Sequence, residues 1–176
     1  MNPRQISEIP LTPDVVDCIV FWTKNPAQMM ARLGELLAYN YYFQFTLTGY
    51  GKDIERGVPH KKERMLPIFR ELSNMIGKER VIWRYDPIII NDKYTTEYQI
   101  STFRQIAQAL DGFTEKVVIS FVDIYSKIKK NMERIHAAEL TAGERVSLAS
   151  RLAEIAGKHH MTIAACAEEM DLQSAG

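Results

Sequence analysis

Residues able to do chemistry stand at the ends of apolar runs in this chain. Trp83-Arg84-Tyr85-Asp86-Pro87 sets a guanidinium and a carboxylate two residues apart, and a β-strand turns residues two apart to the same face. Such an arginine can grip a carboxylate or phosphate with two parallel hydrogen bonds. Equally, it can close an internal ion pair with Asp86 or with a carboxylate of a neighbouring strand. Pro87 holds Asp86 extended in either case. Lys24 follows another apolar run and is a candidate cation, a Schiff-base amine if burial lowers its pKa, or a side chain that reaches out to solvent. Asn25, ahead of Pro26, fits a helix cap better than a ligand group.

The remaining candidates follow the same rule. Gln44, Thr46 and Thr48 alternate with Phe43, Phe45 and Leu47, so polar and apolar side chains take opposite faces. Thr23, Ser120, Asp123, Glu168 and Glu169 sit at or just after the ends of other apolar runs. The expected substrate-binding set is therefore Lys24, Asn25, Gln44, Thr46, Arg84, Asp86, Ser120, Asp123 and Glu168, with no catalytic residue assigned. Each of about five strands contributes to it, and ending every strand in groups that are costly to bury unpaired suits a site better than a scaffold. Tyr50, in Gly49-Tyr50-Gly51, reads as a lid on a flexible loop. His60, His136, His159 and His160 fall away from the strand ends and receive no role.

The elements that would position this set alternate along the chain. Apolar runs at 17–22, 41–48, 81–85, 116–122 and 162–167 read as strands, the first covered on both faces. Helical spacing separates them: Met29, Leu33, Leu36 and Leu37 after Pro26; Met65, Ile68, Phe69, Leu72 and Ile76, closed by Gly77; Ile100, Phe103, Ala107 and Leu110, closed by Gly112. Thr141-Ala142-Gly143-Glu144 is a capping box. Strand, helix, strand order implies parallel pairing. An open doubly wound sheet is one solution. A partial (β/α) barrel of the TIM-barrel type is preferred, because no glycine-rich phosphate loop follows the first strand and the second strand alternates like a barrel wall. The whole chain, 1–176, reads as one such domain.

Composition narrows the partners. With 22 basic and 22 acidic residues the formal net charge is zero, which disfavours a general polyanion binder. The basic segment 126–134 most simply covers a solvated helix face. No apolar run approaches a bilayer span and no secretion signal opens the chain, so a cytoplasmic protein without membrane contact is expected. Cys18 and Cys166 read as buried strand thiols, and no metal site is legible. An unknown small molecule or a nucleic acid is the expected partner, and a homo-oligomer would cover open sheet edges.

Val20-Phe21-Trp22-Thr23-Lys24-Asn25-Pro26 resembles the bacterial domain-of-unknown-function family 1848. The likeness continues through Tyr42-Phe43-Gln44-Phe45-Thr46-Leu47-Thr48-Gly49-Tyr50-Gly51, Val81-Ile82-Trp83-Arg84-Tyr85-Asp86-Pro87, Ser120-Phe121-Val122-Asp123 and Cys166-Ala167-Glu168. It implies a barrel similar to radical S-adenosylmethionine enzymes, with a cysteine cluster near the end holding a four-iron, four-sulfur centre. This sequence reaches Ser174-Ala175-Gly176 without such a cluster and starts at Met1-Asn2-Pro3 without the family's first strand region, so a fragment is expected. Two strand cysteines do not supply the thiolates of an iron–sulfur centre, and no cofactor is expected in this chain. The leading expectation is the barrel core of a radical-type enzyme. The alternatives are a non-enzymatic domain that binds an anionic small molecule or a nucleic-acid phosphate through Arg84 and the basic segment, and an incomplete barrel stable only as an oligomer.

Overall fold

The computed structural model describes residues 9–123, 126 and 128–166. Five strands form one sheet: β1 (Ile19–Thr23), β2 (Tyr41–Thr46), β3 (Val81–Ile88), β4 (Lys116–Phe121) and β5 (Thr162–Ala165). They lie in sequence order, each parallel to the next. A doubly wound sheet reverses its strand order midway, and this one does not. Constant direction with the usual right-handed crossover puts successive helices on the same face. The sheet is open, with β1 and β5 at its edges, and no closure into a barrel is seen among the described residues.

The core follows from alternation on that helix-covered face. Phe43 and Phe45 stand in register with Val81 and Trp83, and Trp83 and Tyr85 with Val117 and Ile119. Against them pack α2 (Leu66–Ile76), α3 (Thr96–Leu110) and α5 (Ala142–Lys158), through Phe69, Leu72, Phe103, Leu148 and Leu152. Phe103 stacks on Trp83 at 4.6 Å between ring centroids and meets Tyr85 edge-on at 5.1 Å. Truncating so enclosed a ring to alanine costs about 3–5 kcal/mol.

The helix ends match their residues. Thr95 accepts from the Tyr98 nitrogen at the start of α3. Thr141 and Glu144 form the reciprocal capping box of α5. Gly77, at φ 95°, ends α2 in a conformation that side chains avoid.

Four expectations change. The stripe after Pro26 yields a single helical turn, α1 (Ala27–Met30), then a 3-10 turn at Leu33–Leu36. Gly34 weakens a longer helix by about 1 kcal/mol relative to alanine, and Leu37 is exposed instead of buried. The third strand does not stop at Asp86. It continues through a register irregularity and a cis Asp86–Pro87 peptide to Ile88, which pairs with Phe121. β1 is an edge strand covered on one face only, alternating half-buried and exposed residues. Finally, Cys18 precedes β1 and is exposed, while Cys166 follows β5 and is half-buried, so neither is a core thiol.

A smaller apolar cluster of Tyr50, Ile89 and Tyr94 sits where the loops after β2 and β3 meet. Within the basic segment, Lys129–Arg134 form a short helix, α4. Among the described residues no helix is long and apolar enough to cross a membrane.

Candidate functional site

The face of the sheet opposite the main core carries Trp22, Gln44, Thr46, Arg84 and Ser120, as the alternation requires. Trp22 stands in register with Gln44, and Thr46 with Arg84. Arg84 is only 3% exposed, which demands partners for its charge. Its Nε donates to Asp86 Oδ2 at 3.0 Å, Nη2 donates to the same oxygen, and Nη1 donates to Gln44 Oε1 at 2.7 Å. The Ser120 hydroxyl donates to the other Asp86 oxygen. Above the guanidinium lies the Trp22 indole, 4.0 Å from Cζ to the ring centroid. Four neighbouring strands thus build one electrically balanced network. Of the two readings open for Arg84, the internal pair with Asp86 is the one formed.

A second charged group closes over the end of β2. Glu55 is buried and accepts from Lys24 on one carboxylate oxygen and Lys61 on the other, with the Thr48 hydroxyl donating at 2.9 Å. Burial pushes the Glu55 carboxyl up, but the two ammonium groups outweigh it and hold it below its ordinary value. Lys61 is pulled down by burial despite that carboxylate. Its amine also donates to the carbonyls of Thr48 at 3.1 Å and Tyr50 at 3.0 Å, so all three of its protons have acceptors. A cleft of about 530 Å³ beside α2 and α3 includes Lys61 in its lining, but that saturated amine has nothing left for a ligand there. Lys24, with its side chain 45% exposed, keeps donors open to solvent.

Tyr50 is no lid. It is buried, its hydroxyl donating to the Pro87 carbonyl at 2.8 Å and accepting from the Ile89 nitrogen at 2.7 Å and Gln99 Nε2 at 3.2 Å. Burial pushes its phenol well up, so it stays protonated and fixed. The neighbouring Gly49 has no room for a side chain, since a Cβ there would strike the Thr102 methyl. The loop after β2 is therefore pinned to β3 and α3.

The predicted residues divide accordingly. Gln44, Arg84, Asp86 and Ser120 come together, with Thr46 beside them. Lys24 and Thr48 join the Glu55 cluster. Asn25 is not the helix cap expected of it: Pro26 holds the cap position of α1 with no side-chain cap bond, and Asn25 closes a turn just before it, its Oδ1 accepting from the Ala27 nitrogen at 3.2 Å, while Thr23 accepts from Asn25 at 3.0 Å. Asp123 is 64% exposed and pairs with Arg145 of α5 at 3.0 Å, so it belongs to a surface contact and not to the Arg84 network. Glu168 and Glu169 lie outside the described residues.

Three contributors escaped sequence reasoning. Trp22 was hidden in a run apolar on both faces, where only the bulk of an aromatic at a strand end was a signal. Glu55 and Lys61 belong to a loop and a helix start, where nothing local marks burial.

An iron–sulfur centre needs about three or four thiolates converging on one point. Cys18 stands before the start of one edge strand and Cys166 after the end of the other, at opposite ends of parallel strands. They do not fit that centre. Among the described residues no three His, Cys, Asp or Glu side chains gather where they would hold a metal ion.

Fold and site together define an open parallel α/β domain with a charge-balanced polar network on the sheet face turned away from its main core. The chain matches, over residues 1–176, the family described as Domain of unknown function (DUF1848), and it belongs to that family. Comparison with curated proteins gives no match.

Proposed function

We propose that this chain is the barrel core of a bacterial, cytoplasmic enzyme of the radical S-adenosylmethionine-like type, its sheet forming part of a TIM-barrel-like wall. The substrate pocket lies at the carboxyl ends of the strands. The observation that carries the reading is the Gln44–Arg84–Asp86–Ser120 network, built across β2, β3 and β4 on the face opposite the main core. A barrel has its lumen on that side, and sequential parallel strands with helices on the other side suit it. A four-iron, four-sulfur centre and S-adenosylmethionine belong to this reading, but thiolates beyond Cys18 and Cys166 would have to hold the cluster. The residues of this chain bind and orient: Arg84 and Asp86 form a fixed polar floor, with Gln44 and Ser120 at its margins. Anaerobic reconstitution of the complete gene product with iron and sulfide tests the proposal. Visible cluster absorption and cleavage of S-adenosylmethionine are expected; the absence of both discards it.

A second reading, a non-enzymatic domain for an anionic small molecule or a nucleic-acid phosphate, passes from Arg84, whose guanidinium is taken up by Asp86 and Gln44, to Lys24. With Glu55 and Lys61 it makes a cluster of one carboxylate and two ammonium groups, and it is the more exposed amine. Calorimetric titration with nucleotides and phosphorylated metabolites should then show binding that Lys24→Ala abolishes. No heat with either class removes this reading.

A further inference from the structure

Trp22 is exposed to 62%, yet it is not loose. One face of its indole rests on the Arg84 guanidinium at 4.0 Å. Arg84 is itself locked by Asp86 and Gln44, so the ring is held flat on a rigid support with its other face turned out. Fixing a side chain before a ligand arrives removes an ordering cost from binding. Beside it, Gln44 accepts from Arg84 through Oε1, which leaves its amide nitrogen as a donor with no hydrogen bond among the described residues. Arg84 and Asp86 cancel in charge, so the support offers neither an anion nor a cation site.

We infer that Trp22, backed by Arg84, is a stacking platform for an uncharged planar heteroaromatic ring of the nucleobase kind, with the Gln44 amide donating to an acceptor on the ring edge. The inference rests on the reading of this face as the substrate side of the sheet. It narrows the ligand to one carrying a flat, neutral ring with hydrogen-bond acceptors, because an indole face stacks on any flat ring and the Arg84 guanidinium already on its other face disfavours a second cation there.

The chain holds two tryptophans, and Trp83 is fully buried, so an ionic quencher such as iodide reports on Trp22 alone. Adenosine at millimolar concentration should protect Trp22 from iodide saturably, while ribose 5-phosphate, which has no ring base, should not. By calorimetry, Trp22→Ala should raise the adenosine Kd by about five- to 150-fold, the range for loss of one base stack. Trp22→Phe should lose much less. Trp22 lies on the surface, so these variants keep the fold. Failure of adenosine, guanosine, cytidine and uridine alike to protect Trp22 overturns the inference, as does an unchanged Kd in Trp22→Ala. Light scattering that shows a dimer, with Trp22 protected on dimerisation instead, also overturns it. Nucleoside binding lost in Trp22→Ala, with neither cluster formation nor cofactor cleavage in the reconstituted protein, supports the platform and discards the enzyme type. Cofactor cleavage without nucleoside protection does the reverse.

Discussion

The hydroxyl of Tyr50 accepts a hydrogen bond of 2.7 Å from the backbone nitrogen of Ile89, a residue 39 positions further along the chain. That bond ties the loop after β2 to the end of β3, and Gln99 of α3 completes the knot through its own bonds to Tyr50 and to the Ile89 carbonyl. Tyr50→Phe leaves a buried amide and a buried carboxamide short of a partner. A loss of about 1–3 kcal/mol in urea denaturation is expected. Hydrogen exchange at the Ile89 amide should accelerate as well, and unchanged exchange there would show that the tie is not what holds the loop.

Asp86→Ala isolates the Arg84 charge in a nearly dry position. Removing one partner of a buried pair costs about 3–5 kcal/mol, and the lower end applies here because Asp86 keeps some exposure. Arg84→Met on the same background should recover part of that loss, since it removes the stranded charge. A double-mutant cycle in denaturant checks this, and strict additivity would mean the two residues do not act as a pair.

Glu55 gives the protein an acid-sensitive joint. Its carboxyl lies below the ordinary 4.5 in the folded chain, because Lys24 and Lys61 outweigh the upward push of burial. A group whose folded value is depressed contributes fully above its unfolded value and loses that contribution as pH falls through the folded one. Stability should therefore drop below about pH 4.5, and Glu55→Gln should flatten that drop while lowering stability at neutral pH. Lys61 has the opposite sign. Burial sets its folded value below 10.5, so its charged form costs stability at neutral pH, and the cost fades as pH rises through that value. Denaturation midpoints across the acid range, for wild type and Glu55→Gln, measure the difference between the two curves.

Asp123→Ala should be nearly silent. The Asp123 carboxylate is 64% exposed in its pair with Arg145, and exposed pairs contribute about 0–1 kcal/mol. Adenosine binding should not change either. A marked loss of binding in this variant would move the site away from Arg84 and toward the end of β4.

Much of the site was legible because one rule, alternation along a strand, decides it. Gln44, Thr46 and Arg84 share a face for a reason local to each strand, and the two-residue spacing of Arg84 and Asp86 made their contact readable. Asp123 shows where the rule stops: beyond the last paired residue of β4 its side chain is free to follow α5. Tyr50 shows it again, since a glycine-flanked tyrosine looks mobile until a distant amide and carbonyl enclose it.

The order of apolar runs and turn residues determined the element types, the parallel pairing and the polar face, because hydrophobic period and helix capping act over a few neighbours. Tertiary structure alone decided that β1 is an edge strand with Trp22 outside, that Arg84 is balanced from within, and that Glu55 is clasped by two lysines. Those outcomes depend on which strands end up adjacent and which loops fold over them, and burial and charge pairing are properties of that arrangement in space.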